Sequence, residues 1–162
     1  MSEKQETLAA SFAARFEGRV RRVPSTCGEL TFEVEATSLV EACRALRDEP
    51  EWRFEQLVDL TGVDYLTFGR AEWTTESATS SGFSRGRTGS MAAGPAPGED
   101  SLEERRFAVV YHLLSVTHNQ RLRLRAFAPA GEPPMIDSVV DVWPAADWFE
   151  REAFDLFGIL FI

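Results

Sequence analysis

The chain has 162 residues, enough for one domain with a substantial core. Lys and Arg number 17 against 26 Asp and Glu, and the resulting net charge of -9 argues against a broad electrostatic grip on nucleic acid or anionic lipid. With only Cys27, Cys43, His112 and His118 as soft ligands and Lys4 as the one lysine, a four-thiolate iron–sulfur cluster, lysine Schiff-base chemistry and a P-loop are all excluded by counting, and disulfide stapling is disfavoured.

Met1–Thr7 carries two Glu and one Lys in place of a basic region followed by an apolar stretch, so it does not read as a targeting signal, and the chain is expected to stay in the cytoplasm. Leu8, Ala9, Phe12, Ala13 and Phe16 recur at three and four, which predicts an amphipathic helix over about Glu6–Phe16 ended near Gly18. A strand pair is expected next. Leu30, Phe32, Val34 and Ala36 alternate with Glu29, Thr31, Glu33 and Glu35, the period of a half-buried strand with one charged face. Ser38 followed by Glu41 predicts a capping box opening a helix whose apolar face is Leu39, Ala42, Cys43 and Leu46, stopped at Glu49-Pro50.

Leu57–Leu66 reads as extended chain with a bulge at Gly62, although its start is compatible with helix. From Thr74 to Glu104 the composition turns to Ser, Thr, Gly, Ala and Pro, which predicts a disordered insertion at 74–104 inside a single domain spanning 1–162. Arg106–Val116 and Arg121–Ala128 are two β-rich runs joined at Thr117–Gln120 as a hairpin; Leu122, Leu124, Ala126 and Ala128 face inward, and Arg121, Arg123 and Arg125 outward. After Pro133-Pro134 a short helix is expected over Ile136–Val142, then a final helix over about Ala145–Phe157 capped by Gly158. This order predicts an α+β, two-layer domain with a mainly antiparallel sheet and a C-terminal helix.

Gly82-Phe83-Ser84-Arg85-Gly86 matches a nucleophile elbow, with Asp100 and then His112 or His118 in hydrolase order. Both flanks are low-complexity polar chain, where that elbow needs a core strand before Ser84 and a helix after it. Cys27, Cys43, His112 and His118 lack metal-ligand spacing, and no glycine-rich dinucleotide fingerprint follows a strand. The final helix is more informative. Leu156, Phe149, Ala153, Phe157 and Phe154 cover one arc, with Arg151, Asp155, Trp148 and Glu152 opposite. Glu150 falls on the apolar side, where a carboxylate must be paired, solvated at the edge or used at an interface with another protein. That position leads to the expectation that losing Glu150 weakens assembly more than folding. Glu152 and Asp155 are i, i+3 neighbours, and Arg151 can meet Asp155 at i, i+4.

The string Trp148-Phe149-Glu150-Arg151-Glu152-Ala153-Phe154-Asp155-Leu156-Phe157-Gly158-Ile159 resembles the signature of the 30 kDa subunit of NADH:quinone oxidoreductase, respiratory complex I. Leu57-Val58-Asp59-Leu60-Thr61-Gly62-Val63-Asp64-Tyr65 is similar to a second landmark of that family, and Arg106–Ser115 with Arg121–Phe127 to its hairpin. The resemblance implies an α+β core subunit of the peripheral arm without catalytic, cofactor or metal residues of its own. FMN, iron–sulfur clusters and quinone would belong to partner subunits, and the expected neighbours are subunits D (49 kDa), B and I on the cytoplasmic side of the inner membrane. It marks Glu150, Arg151, Glu152, Phe154, Asp155, Phe157, Gly158, Asp59 and Asp64 as signature and candidate interface positions. Family members continue with a Gly-His-Pro-Asp-Leu-Arg-Arg segment, and the stop at Phe161-Ile162 leads to the expectation of a subunit lacking that tail. A membrane-bound hydrogenase or ferredoxin-linked complex with an equivalent subunit is the nearest rival.

Overall fold

Three aromatic rings mark where the first helix meets the sheet in the computed structural model: Phe12 stacks edge-on to Phe32 at 5.0 Å and to Trp52 at 5.4 Å. The structure describes residues 3–25, 28–66 and 105–162, together with the backbone of 74–75 and 87–88. Helix α1 (Glu3–Arg15) turns Leu8, Ala9 and Phe12 inward and is followed by Gly18 at a φ of 77°, the left-handed conformation that costs glycine least. Strands β1 (Val20–Val23) and β2 (Thr31–Val34) form the expected antiparallel pair. Ala36 leaves the strand and begins a 3-10 turn, Ala36–Ser38, which runs directly into α2 (Leu39–Asp48).

That turn replaces the capping box. The Ser38 side chain makes no cap hydrogen bond, the Ser38 and Leu39 N–H groups already donate to Glu35 and Ala36 carbonyls, and Glu41 accepts from Arg19 at 2.6 Å. Helix α2 buries Leu39, Ala42, Cys43 and Leu46 as expected. Strand β3 (Gln56–Asp64) has its irregularity between Leu57 and Asp59, not at Gly62. Val58 takes up the extra position and is 40% exposed, while Gly62 stays in regular register opposite Val109.

Strands β4 (Thr74–Thr75) and β5 (Arg87–Thr88) form a separate two-residue antiparallel ladder. The rest of the 74–104 insertion, the elbow motif with Ser84, Asp100 and Cys27 lie outside the described residues. The hairpin of β6 (Phe107–Ser115) and β7 (Gln120–Phe127) is in the expected register, with Leu122, Leu124, Ala126 and Ala128 buried.

The five-stranded sheet has the order β1-β2-β7-β6-β3. Three of its pairings are antiparallel, and β2 runs parallel to β7. One row after another, such as Val34, Ala126, Val109 and Gly62, points to the face that shares a core with the helices. The opposite face carries the Arg121, Arg123 and Arg125 side of β7, and among the described residues no helix covers it. The two-layer α+β arrangement follows.

The helix expected over Ile136–Val142 does not form. Met135–Ile136 is a short strand, β8, paired in parallel with β9 (Leu160–Phe161). Beyond it the Ser138 N–H donates to the Ile162 carbonyl and the Val139 N–H to a carboxylate, so only the turn at Val139–Trp143 is closed locally. Backbone donors captured by other elements cannot serve a helix. The final helix, α3 (Ala146–Phe157), is present with Gly158 as its left-handed cap.

Candidate functional site

Helix α3 is fixed at both ends and along one side. Trp143, 4% exposed just ahead of it, donates its indole N–H to the Phe54 carbonyl at 3.1 Å. At the other end Gly158, at a φ of 70°, donates its N–H to the Phe154 carbonyl at 2.8 Å and feeds the buried Ile159 into the core. Ala146 and Ala153 are buried, and Phe149 and Phe157 are packed against the core. The absence of a side chain at Gly62 makes this closeness possible: a Cβ there would lie 2.5 Å from Phe157 Cδ2.

Glu150 is held inside. Its Oε2 accepts from the Ser138 hydroxyl at 2.7 Å and its Oε1 from the Val139 N–H at 2.8 Å, with 6% of the residue exposed. Burial pushes its carboxyl above the ordinary range, and these two donors act in the opposite sense. The carboxylate therefore joins α3 to the segment between β8 and the helix. Its partners come from a stretch that sequence patterning casts as helical, which is why they were missed.

Arg151, Glu152 and Asp155 are exposed on the outer face of α3, as expected. They form no ion pair with one another among the described residues, so the Arg151 and Asp155 contact allowed by spacing is not made. The apolar arc is narrower than expected. Leu156 and Phe154, placed inward by the sequence, are 69% and 48% exposed, and Trp148 is 72% exposed. The buried side of the helix comprises Ala146, Glu150 and Ala153, with Phe149 and Phe157 packed against the core, and at about 100° per residue Leu156 and Phe154 fall on its two flanks. An outer surface results in which three large apolar side chains border an arginine and two carboxylates.

The β3 landmarks lie elsewhere. Asp64, at the end of β3, accepts from Arg106 at 3.1 Å and 2.9 Å and from the Leu66 N–H at 2.9 Å. The Arg106 guanidinium holds its carboxyl below the usual carboxylate range, so Asp64 ties the β3 and β6 ends together. Asp59 is half-buried opposite His112 on the other face of the sheet. Neither aspartate joins the α3 surface.

Two groups that chemistry could draw on are held in structural settings. Cys43 is fully buried and its thiol is pushed up by desolvation, the opposite of nucleophile activation. Among the described residues, no group of three or more His, Cys, Asp and Glu is placed to hold a metal ion. His118 lies in the β6–β7 turn with Nε2 at 3.0 Å from the Pro50 carbonyl, a structural contact.

The model of the respiratory-chain NADH dehydrogenase 30 kDa subunit family matches residues 32–162. The chain is 48% identical over 163 residues to the C subunit of NADH-quinone oxidoreductase from Halorhodospira halophila, covering 96% of this chain and 66% of that protein. It is 47% identical to the protein of the same description from Xanthomonas oryzae pv. oryzae, with 99% and 68% covered, and 45% identical to that of Coxiella burnetii, with the same coverage. The chain thus spans about two thirds of the length of these curated relatives. A chain in the structure of the membrane-bound sulfane sulfur reductase, an archaeal respiratory membrane complex, shares the fold at a TM-score of 0.64 with 19% identity, over 98% of this chain and 71% of that one. With the α+β fold, the capped helix and the close approach of α3 to β3 in place, this chain belongs to the 30 kDa subunit family of respiratory-chain NADH dehydrogenase.

Proposed function

We propose that the chain is a structural core subunit of the peripheral arm of a proton-translocating NADH:quinone oxidoreductase. It contributes no catalytic residue of its own and braces neighbours whose redox centres need fixed spacing. FMN, the iron–sulfur clusters and quinone are held by those partner subunits. The neighbours are subunits D (49 kDa), B and I, on the cytoplasmic side of the bacterial inner membrane, with the chain attached peripherally as one domain with an insertion at 74–104.

Family membership and the descriptions of the relatives support this reading. The observation that carries it is the outer face of α3: Trp148, Phe154 and Leu156 are exposed around Arg151, Glu152 and Asp155, on a helix whose other side is locked to the sheet. Rigid, exposed aromatic and aliphatic anchors beside charged groups are the composition of a protein contact. Behind that face Phe157 packs on Gly62, Gly158 caps the helix, and Glu150 ties it to Ser138 and Val139. No helix among the described residues is long and apolar enough to cross a membrane, consistent with attachment through partners.

The test is native-gel separation of mild-detergent membrane extracts. The chain is expected to comigrate with NADH dehydrogenase activity, and the Trp148→Asp/Leu156→Asp variant to lose comigration while its own unfolding free energy changes by no more than about 0.5 kcal/mol. A chain found only as a free monomer overturns the reading. Copurification with a hydrogenase or ferredoxin-linked complex would assign it to the related assembly instead; the 45% to 48% identities to NADH-quinone oxidoreductase relatives favour the first.

A further inference from the structure

One cluster on the open face of the sheet has a charge opposite in sign to that of the whole chain. Glu33, on β2, is ringed by three arginines: its Oε1 accepts from Arg21 at 3.1 Å and Arg105 at 2.8 Å, and its Oε2 from Arg125 at 2.8 Å. The Glu33 side chain is 13% exposed, against 69% for Arg21 and 45% for Arg105. Three guanidiniums on one carboxylate leave a local excess of two positive charges, within a chain of net charge -9.

Aromatic rings hold this excess in place. The Arg105 guanidinium carbon sits 4.1 Å from the Phe127 ring centre and that of Arg125 5.1 Å from it, and Arg125 also donates to the Tyr65 hydroxyl at 3.2 Å. One rung along, Arg123 pairs with Glu29. The Nε atoms of Arg123 and Arg125 and the Thr31 hydroxyl are buried without a hydrogen-bond partner. The cluster opens into a groove of about 340 Å³ walled by Val20, Arg21, Glu33, Glu35, Arg105 and Phe127.

We propose that this groove receives an acidic segment of a neighbouring protein of the assembly, with an Asp or Glu carboxylate bridging Arg21 and Arg105 and an apolar side chain lying against Phe127. The inference rests on the reading of the chain as part of a multi-subunit assembly, and it concerns a face distinct from α3. The charge count selects the occupant. One or two carboxylates neutralise the excess, whereas a nucleic acid or an anionic membrane requires a broad basic surface, which a groove that also carries Glu33 and Glu35 does not offer. The groove admits a few side chains, not a flat lipid surface.

The experiment places the photoreactive residue p-benzoylphenylalanine at Glu35, exposed on the groove wall, in the full chain within the assembled, detergent-solubilised complex, with Trp148 on α3 as a second probe position. Irradiation at Glu35 is expected to yield an adduct with another subunit at a peptide bearing Asp or Glu within two residues of the attachment point. The Arg21→Gln/Arg105→Gln variant is expected to lower that yield at least ten-fold while leaving the Trp148 adduct intact, which separates loss of the groove contact from loss of folding or assembly. Adducts only with lipid, with this chain itself or with a segment free of acidic residues overturn the proposal, as does an undiminished yield in the double variant. An intersubunit adduct at Trp148 without one at Glu35 removes the groove proposal alone. Failure at both positions, with the chain migrating by itself, removes the assembly reading as well.

Discussion

Gly62→Ala isolates the contact that seats α3 on the sheet. The added Cβ would lie 2.5 Å from Phe157 Cδ2, 3.0 Å from Cγ and 3.1 Å from Cε2. Carbon contacts are comfortable at about 3.5–4.0 Å, so the ring must retreat by about 1 Å. Phe157 has little freedom to do so, because the next residue is the left-handed cap and the one after it, Ile159, is completely buried. Overpacking of this kind costs about 1–3 kcal/mol. Replacing glycine by alanine within a strand returns roughly 0.5–1 kcal/mol. The expected net loss is about 1–2 kcal/mol, which for a domain of this size lowers Tm by roughly 3–6 °C.

Urea titration at fixed temperature, followed by tryptophan fluorescence and far-ultraviolet circular dichroism together, measures the loss and checks two-state behaviour. The decisive arm repeats Gly62→Ala in a Phe157→Ala background. With the ring gone, the same substitution is expected to be neutral or stabilising by about 0.5 kcal/mol, a reversal of sign larger than the roughly 0.3–0.5 kcal/mol additivity error between independent sites. An equal loss in both backgrounds, or no loss in the parent chain, would refute the steric account.

Three further expectations follow from buried groups. Glu150→Ala leaves the Val139 N–H and the Ser138 hydroxyl without their acceptor, so the isolated chain is expected to lose about 1–3 kcal/mol in urea titration, and Glu150→Gln less; an unchanged midpoint for Glu150→Ala would contradict the internal role. Burial pushes the Glu33 carboxyl up, but hydrogen bonds from Arg105, Arg125 and Arg21 outweigh it and hold it below its ordinary value of 4.5. Its stabilising contribution is therefore present above about pH 4.5 and lost as pH falls through the lower folded value, so urea midpoints between pH 3 and pH 6 should fall more steeply in the parent than in Glu33→Gln. Cys43, fully buried with its thiol pushed up, should react with an alkylating reagent only as fast as the chain unfolds, measured in a Cys27→Ser background; rapid labelling of folded protein would show that α2 opens locally.

Period-two alternation is strong enough to read faces from sequence, and Leu122 to Ala128 take the sides it assigns. Alternation says nothing about which strands are neighbours. The parallel β2–β7 pairing, and with it the meeting of Glu33 and Arg125, was therefore invisible even though both residues were placed on a charged face. The bulge is hard to place from sequence because Leu57 and Val58 are both apolar, and Gly62, which suggests an irregularity, provides clearance for Phe157. Ile136, Val139, Val140 and Val142 mimic helical spacing, but their backbone partners come from β9 and Glu150, far away in sequence or on another element. On α3 the sequence located the helix, its cap and the anomalous carboxylate. It could not tell that Leu156 and Phe154 face out, since an apolar residue at an interface and one in a core are the same residue.

The strand order also sets a timetable for synthesis. Strand β2 bonds β1 on one edge and β7 on the other, and its Glu33 contact with Arg125 closes a loop of 92 positions. Until the ribosome has delivered β7, β2 presents a bare edge and Phe12, Phe32 and Trp52 have only part of their cover. Closing so distant a contact is intrinsically slow. The nascent N-terminal half is thus the vulnerable stage of this protein's life, the point at which a chaperone has most to shield and at which premature release would favour aggregation over assembly.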